Sequence, residues 1–341
     1  MDTDSQPKEF QRVQELWFED GNIVVRAETS QFRVYRGFLA TRSPVFQDMF
    51  SFPQPLDSEL VDGCPLVVLP DPAPHVIVFL RAIFDSSFFK PFPFPTAYNI
   101  IVGCLRLSHK YGVDYLRREA LIHFSSGFDT KLSRWDAEAY GAYNLGDDTP
   151  VSRIISWGIP PDIGYNASVI HIIREVDALW LLPLAFYSLS ATSSTDIGSD
   201  IFSDAGCNSV PTKLSDVDRA AFLRGHGIQC LSVATDILRF LYEPVEIDGC
   251  GCPEACSQVR LRAIASIREV IRANPSRPLD IWGPNEWEWL DDACLTCLTA
   301  LKKTHQEAKE EFWDKLPGIY GLPPWEELQK MQVAAIGSEL F

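Results

Sequence analysis

Asn22-Ile23-Val24-Val25-Arg26-Ala27-Glu28-Thr29-Ser30-Gln31-Phe32-Arg33-Val34-Tyr35-Arg36-Gly37-Phe38-Leu39-Ala40-Thr41-Arg42-Ser43-Pro44-Val45-Phe46 is the stretch on which the fold turns. Two β-favouring runs, Ile23 to Ala27 and Phe32 to Tyr35, flank a short polar turn and read as a hairpin. Helical sequence follows, with Phe38, Leu39, Phe46, Met49 and Phe50 as its apolar positions. Ser43-Pro44 interrupts it. Serine caps a new helix and proline suits its first turn, where a missing N–H costs nothing.

Working outward, Leu66-Val67-Val68-Leu69 is a short apolar run ended by Pro70, a third strand. Val76, Phe79, Leu80, Ile83 and Phe84 recur at i, i+3, i+4, i+7 and i+8, the stripe of a helix with one buried face. The Pro-rich connector 90–95 leads to a helix around Tyr98 to Lys110. Another follows, with Val113, Leu116, Ala120 and Phe124 inward. Strands, helix, strand and then helices describe a small α+β domain over residues 15–128. Beyond it strand signals almost vanish. Helical periodicity covers 166–190, 215–243, 256–273 and 285–316, giving a mostly helical domain over 129–330. The polar residues 1–14 and the tail 331–341 are expected to fray, and the Ser/Thr/Gly/Asp stretch 190–209 to be a mobile loop. Gly225-His226-Gly227 reads as a turn between helices.

Residues 16–126 resemble the BTB/POZ domain family. The resemblance rests on Asn22 to Val25, on Phe32 through Phe46, on Val67-Val68-Leu69, on Phe79 to Phe84 and on Leu107-Ser108-His109-Lys110-Tyr111. Leu16-Trp17-Phe18-Glu19-Asp20-Gly21-Asn22 together with Leu116-Arg117-Arg118 is similar to the fungal-type branch. The resemblance implies non-covalent protein binding: self-association, or adaptor contact with a cullin-type scaffold of a ubiquitin ligase. It also marks Asn22 and Arg36 as the family's dimer-pocket positions. At this pocket the sequence departs from the family, with Tyr35 where the family has His and Asn22 where it often has Asp.

The chain has 341 residues, enough for two domains, and a formal net charge of −16. Residues 1–130 carry 16 acids and 12 bases (net −4) and residues 131–341 carry 30 and 18 (net −12). Both parts repel a phosphate backbone, so nucleic acid is not an expected direct partner. The N-terminus lacks an apolar signal segment, and the longest uncharged apolar run, Ala178 to Leu189, is too short for a bilayer. The expectation is an intracellular protein, cytoplasmic or nuclear, with no membrane partner and nine reduced cysteines.

Five of those cysteines form the strongest chemical pattern: Cys250-Gly-Cys252-Pro-Glu-Ala-Cys256, then Cys294-Leu-Thr-Cys297 after 37 intervening residues. Closely spaced thiolates from two segments can share one tetrahedral ion, and Cys252, Cys256, Cys294 and Cys297 are the expected set for a structural zinc. Cys250 is a fifth competitor and His305 a substitute. The competing reading makes Cys294 and Cys297 buried apolar side chains on a helix. No histidine sits in a metal-protease spacing, and the nucleophile-elbow, phosphate-loop and dinucleotide fingerprints are absent. Acidic pairs Asp147-Asp148, Glu286/Glu288 and Asp291-Asp292 read as a solvated face. The aromatic run from Phe312 to Leu328 has the composition of a partner-docking segment, and the favoured reading is a tail anchored on its own domain. The sequence thus points to a binding module and not to an enzyme, with a zinc-stapled transcriptional co-regulator as the alternative.

Overall fold

A computed structural model describes residues 9–52, 59–141, 157–158, 164–191, 206–207 and 209–337, with the side chains of 137–141 and of 206 excepted. The architecture is α+β, and the chain divides into two compact units. Among the described residues, the first runs to Gly127 and takes in Trp157 and Gly158, and the second holds the rest.

The sheet of the first unit is built around the hairpin. Strand β2 (Ile23–Ala27) pairs antiparallel with β3 (Ser30–Val34), Ile23 opposite Val34 and Val25 opposite Phe32. Glu28 makes the turn with a positive φ of 50°. On its other side β2 runs parallel to β5 (Cys64–Leu69), with Val24 facing Leu66, and the short β4 (Leu60–Val61) closes that edge. A strand between two neighbours and covered on both faces should be continuously apolar, and Ile23, Val24, Val25 and Ala27 are all buried. The opposite edge corrects the expectation of a fraying N-terminus. Gln11–Trp17 form β1, parallel to β3, with Leu16 buried and Arg12 stacked over Trp17 at 4.4 Å. The unpaired edge of β3 supplies the backbone partners that the local composition did not announce. Residues 1–8 lie outside the described residues.

Helices α1 (Arg36–Arg42) and α2 (Pro44–Ser51) meet at Ser43, whose Oγ accepts from the Phe46 N–H at 3.0 Å. The same hydroxyl donates to the Tyr111 carbonyl, tying this break to helix α4. Helix α3 (Ala73–Phe84) buries Val76, Phe79, Leu80 and Ile83, the stripe read from the sequence. It lies so close to α4 (Tyr98–Tyr111) that a Cβ at Gly103 would stand 2.3 Å from Val78. Helix α5 (Asp114–Ser125) buries Leu116, Ala120 and Phe124. Trp157 and Gly158, read from the sequence as part of the helical region, belong here instead. The Trp157 indole donates to the His123 carbonyl at 2.8 Å and stacks on Phe124, and a Cβ at Gly127 would collide with it at 2.3 Å.

The second unit holds helices α6 (Leu132–Gly141), α7 (Tyr165–Glu175), α8 (Leu182–Ser190), α9 (Asp216–Thr235), α10 (Pro253–Ala273), α11 (Pro284–Trp287), α12 (Leu295–Ile319) and α13 (Trp325–Ile336). Its only described strands are β6 (Gly206–Cys207) and β7 (Val210–Pro211). Most of the expected mobile loop at 190–209 lies outside the described residues.

Gly225-His226-Gly227 is no turn. It lies in the middle of α9, where Gly225 leaves room for the ring of Tyr320. Tyr320 also stacks on Phe186 at 4.9 Å and donates to Gln229 Oε1 at 2.6 Å. Helix α12 turns Cys297, Leu301, His305, Ala308, Phe312 and Leu316 to the interior. The chain end is anchored on its own unit, as read: Trp325 stacks on Trp313 at 5.3 Å and donates to its carbonyl. Helix α13 carries that order to a fully buried Ile336, so the expected tail at 331–341 is helical through Ile336. Among the described residues no helix is long and apolar enough to cross a membrane.

Candidate metal centre

Four sulfurs converge in the second unit. Those of Cys250, Cys252, Cys256 and Cys294 all lie within 4.8 Å of one another. Local backbone chemistry brings them there. Gly249 takes a left-handed φ of 77°, and Cys250 closes the turn with an N–H bond to the Ile247 carbonyl at 3.1 Å. Two residues on, Cys252 is the N-cap of α10 with Pro253 in the first turn. Its carbonyl accepts the first helical bond from Cys256, which brings their sulfurs to 3.5 Å.

Cys294 is the N-cap of α12 and is not inside the helix. Its N–H donates to Cys256 Sγ at 3.3 Å, and its sulfur lies 3.8 Å from that of Cys250. A tetrahedral zinc with bonds of about 2.3 Å sets its sulfurs about 3.8 Å apart. The two measured sulfur separations fit that geometry.

This corrects the ligand set read from the sequence. Cys250 replaces Cys297, which is one turn into α12 and 2% exposed on its inner stripe. His305 is no substitute ligand. Its ring lies among Phe240 and Trp287, and its Nε2 has no hydrogen-bond partner.

Electrostatics across the cluster are uneven. The Cys297 backbone N–H, then the neighbouring thiols, pull Cys294 down to about 6. The bond that Cys252 shares with Cys256 pushes Cys252 up to about 12. Burial, then thiol bonds to Cys250, Cys294 and Cys256, raise Cys297 far above the ordinary thiol range. Sulfurs this close cannot all ionise unless a cation lies among them.

Arg260 is a member that the sequence reading missed. It is 6% exposed, and its guanidinium donates to the carbonyls of Leu241, Val245 and Phe240. Burial lowers its guanidinium from the ordinary arginine range, with Cys297 opposing that shift, and among the described residues no carboxylate pairs with it. A buried cation without a counter-ion is costly, and the three carbonyls that accept from it offset part of that cost. Its position one turn after Cys256, on the same helix face, was the available signal.

The other candidates have local roles. The Asn22 carboxamide accepts from the Arg36 N–H at 2.8 Å, while the Arg36 side chain donates to the Phe50 carbonyl and covers the Phe50 ring. Asp20 accepts from the Tyr35 hydroxyl at 2.6 Å. His226 lies between Ser190 Oγ at 2.7 Å and Cys230 Sγ at 3.6 Å. Burial lowers the imidazole and raises the thiol, which keeps both neutral, the opposite of an activated Cys–His pair. Glu286 caps the Gly283 N–H, and Asp292 pairs with Arg262. Asp147 and Asp148 lie outside the described residues. Compared with known protein families, curated proteins and solved structures, the chain matches none of them.

Proposed function

We propose that this chain is a non-enzymatic protein-interaction module whose first unit is a BTB/POZ-type domain. The observation that carries the reading is a surface of that unit. Phe38 and Tyr115 are exposed, and Arg42 lies over both rings at 5.2 and 5.4 Å, with exposed Val45 on the neighbouring helix. Aromatic side chains held by an arginine are the composition of binding hot spots. On an acidic chain this cation suits an acidic partner face. The hairpin, the helix pair, the parallel strand and the later helices use the residues that carry the family resemblance. The expected partner is a second copy of the chain, or a cullin-type scaffold.

Sedimentation of the full chain and affinity purification with mass spectrometry test this. An assembly larger than one chain, or a co-purifying scaffold, should be lost in Arg42→Glu. A single-chain mass at all concentrations, with no scaffold enriched, would remove the reading.

In the second unit, Cys250, Cys252, Cys256 and Cys294 would hold a structural zinc. The ion would supply two positive charges, leaving a tetrathiolate centre with net charge −2. Its chemistry is a staple between the start of α10 and the start of α12. This cluster favours the second reading, a zinc-stapled transcriptional co-regulator acting through protein partners. Stoichiometric zinc together with nuclear localisation would select it over the adaptor.

A further inference from the structure

We infer that the sulfur cluster is also a site of oxidation, at which a peroxide exchanges the zinc for two disulfides, Cys252–Cys256 and Cys250–Cys294. The displaced ion rests on the zinc reading above, and the pairing rests on sulfur geometry. The sulfurs of Cys252 and Cys256 are 3.5 Å apart, and those of Cys250 and Cys294 are 3.8 Å apart. Each pair has less than about 2 Å to close before it reaches the ~2.05 Å of a disulfide. Cys250 belongs to a turn, and Cys252 and Cys294 are N-caps. Three of the four side chains thus leave from non-helical backbone, where they can rotate without meeting a preceding helical turn.

Exposure sets the order of events. Cys252 is exposed, Cys250 and Cys294 are half-buried and Cys256 is buried, so a peroxide meets Cys252 first. Its thiolate attacks the peroxide: an S–O bond forms, the O–O bond breaks, and the departing hydroxide takes a proton to become water. The Cys256 thiolate then attacks Cys252, forming the S–S bond and breaking the S–O bond, and a second water leaves after protonation. Two electrons have passed from sulfur to one peroxide. The ion is still divalent but has lost two of its four ligands, and it dissociates. Cys250 and Cys294 repeat the step with a second peroxide. In sum, a tetrathiolate zinc, two peroxides and four protons become two disulfides, four waters and free zinc. The Cys250–Cys294 bond joins the same two segments as the ion did, so the staple between the starts of α10 and α12 outlasts the metal.

The test uses the full-length chain, loaded with zinc, freed of excess metal and treated with hydrogen peroxide. Release of zinc to a coloured chelator is followed, and disulfides are located by non-reducing peptide mapping with tandem mass spectrometry. One zinc per chain should be released, with one disulfide joining Cys252 to Cys256 and another joining Cys250 to Cys294. Excess dithiothreitol should restore zinc uptake. Chelator should lower the melting temperature of the reduced, zinc-loaded chain and leave that of the oxidised chain unchanged. Disulfides between other partners would overturn the inference, as would Cys252 driven to sulfinic acid without a cross-link, or zinc held throughout the treatment. In each of those cases zinc uptake by the untreated chain leaves the metal reading standing. An untreated chain that takes up no zinc would remove that reading, and the exchange with it.

Discussion

The sulfurs of Cys250 and Cys294 lie 3.8 Å apart across 44 positions of sequence. One belongs to the turn before α10 and the other caps α12, so an ion held there closes a long loop in the second unit. Chelation should lower the melting temperature of that unit and leave the first unit's transition in place. Melting the full chain with and without chelator, and in Cys250→Ser/Cys294→Ser, checks this. A chelator effect as large in the double variant as in the wild type would refute it.

Leu80 is fully buried on α3, in the apolar stripe of that helix. Leu80→Ala should cost about 2–5 kcal/mol. Trp157 fills the space above Gly127 and bonds to His123, so Trp157→Ala should cost a similar amount, about 3–5 kcal/mol. Urea unfolding measures both. A loss under about 0.5 kcal/mol at either site would place that side chain outside the core.

Two glycines on α9 should respond with opposite signs. A Cβ at Gly225 would stand 2.1 Å from Tyr320, whereas Gly227 has open space around it. Gly225→Ala should destabilise by about 1–3 kcal/mol despite its better helix propensity. Gly227→Ala should stabilise by about 0.5–1 kcal/mol. Equal effects in thermal melts would mean that Tyr320 does not pack against the helix.

His305 makes the second unit acid-sensitive. Burial, with Lys309 nearby, holds it at about 3 against an ordinary 6.5. The folded form keeps the ring neutral, so the unfolded chain binds more protons between these values. The His305 contribution is complete above pH 6.5 and is lost as pH falls towards 3. Thiolate protonation also weakens a metal centre in acid, so the informative quantity is the difference between profiles. His305→Phe should flatten the wild-type loss of stability below pH 6.5 in metal-free protein. Parallel profiles would show that His305 is protonated in the fold.

Much of the local structure was legible because its causes are local. The hairpin at 23–34, the Ser43-Pro44 helix start and the α3 stripe follow from β-favouring side chains, capping chemistry and a 3.6-residue period. The presence of a thiol cluster was likewise readable, since close cysteine spacing is a property of the chain. Its membership was not. Cys250 enters through the left-handed turn at Gly249, and Cys297 leaves the set because α12 begins after Cys294. The tertiary fold also made Gly225 a helical residue beneath Tyr320, gave Trp157 to the first unit, and paired 11–17 with β3. Each of these depends on a partner distant in sequence, and periodicity and capping carry no information about which distant surface a segment meets.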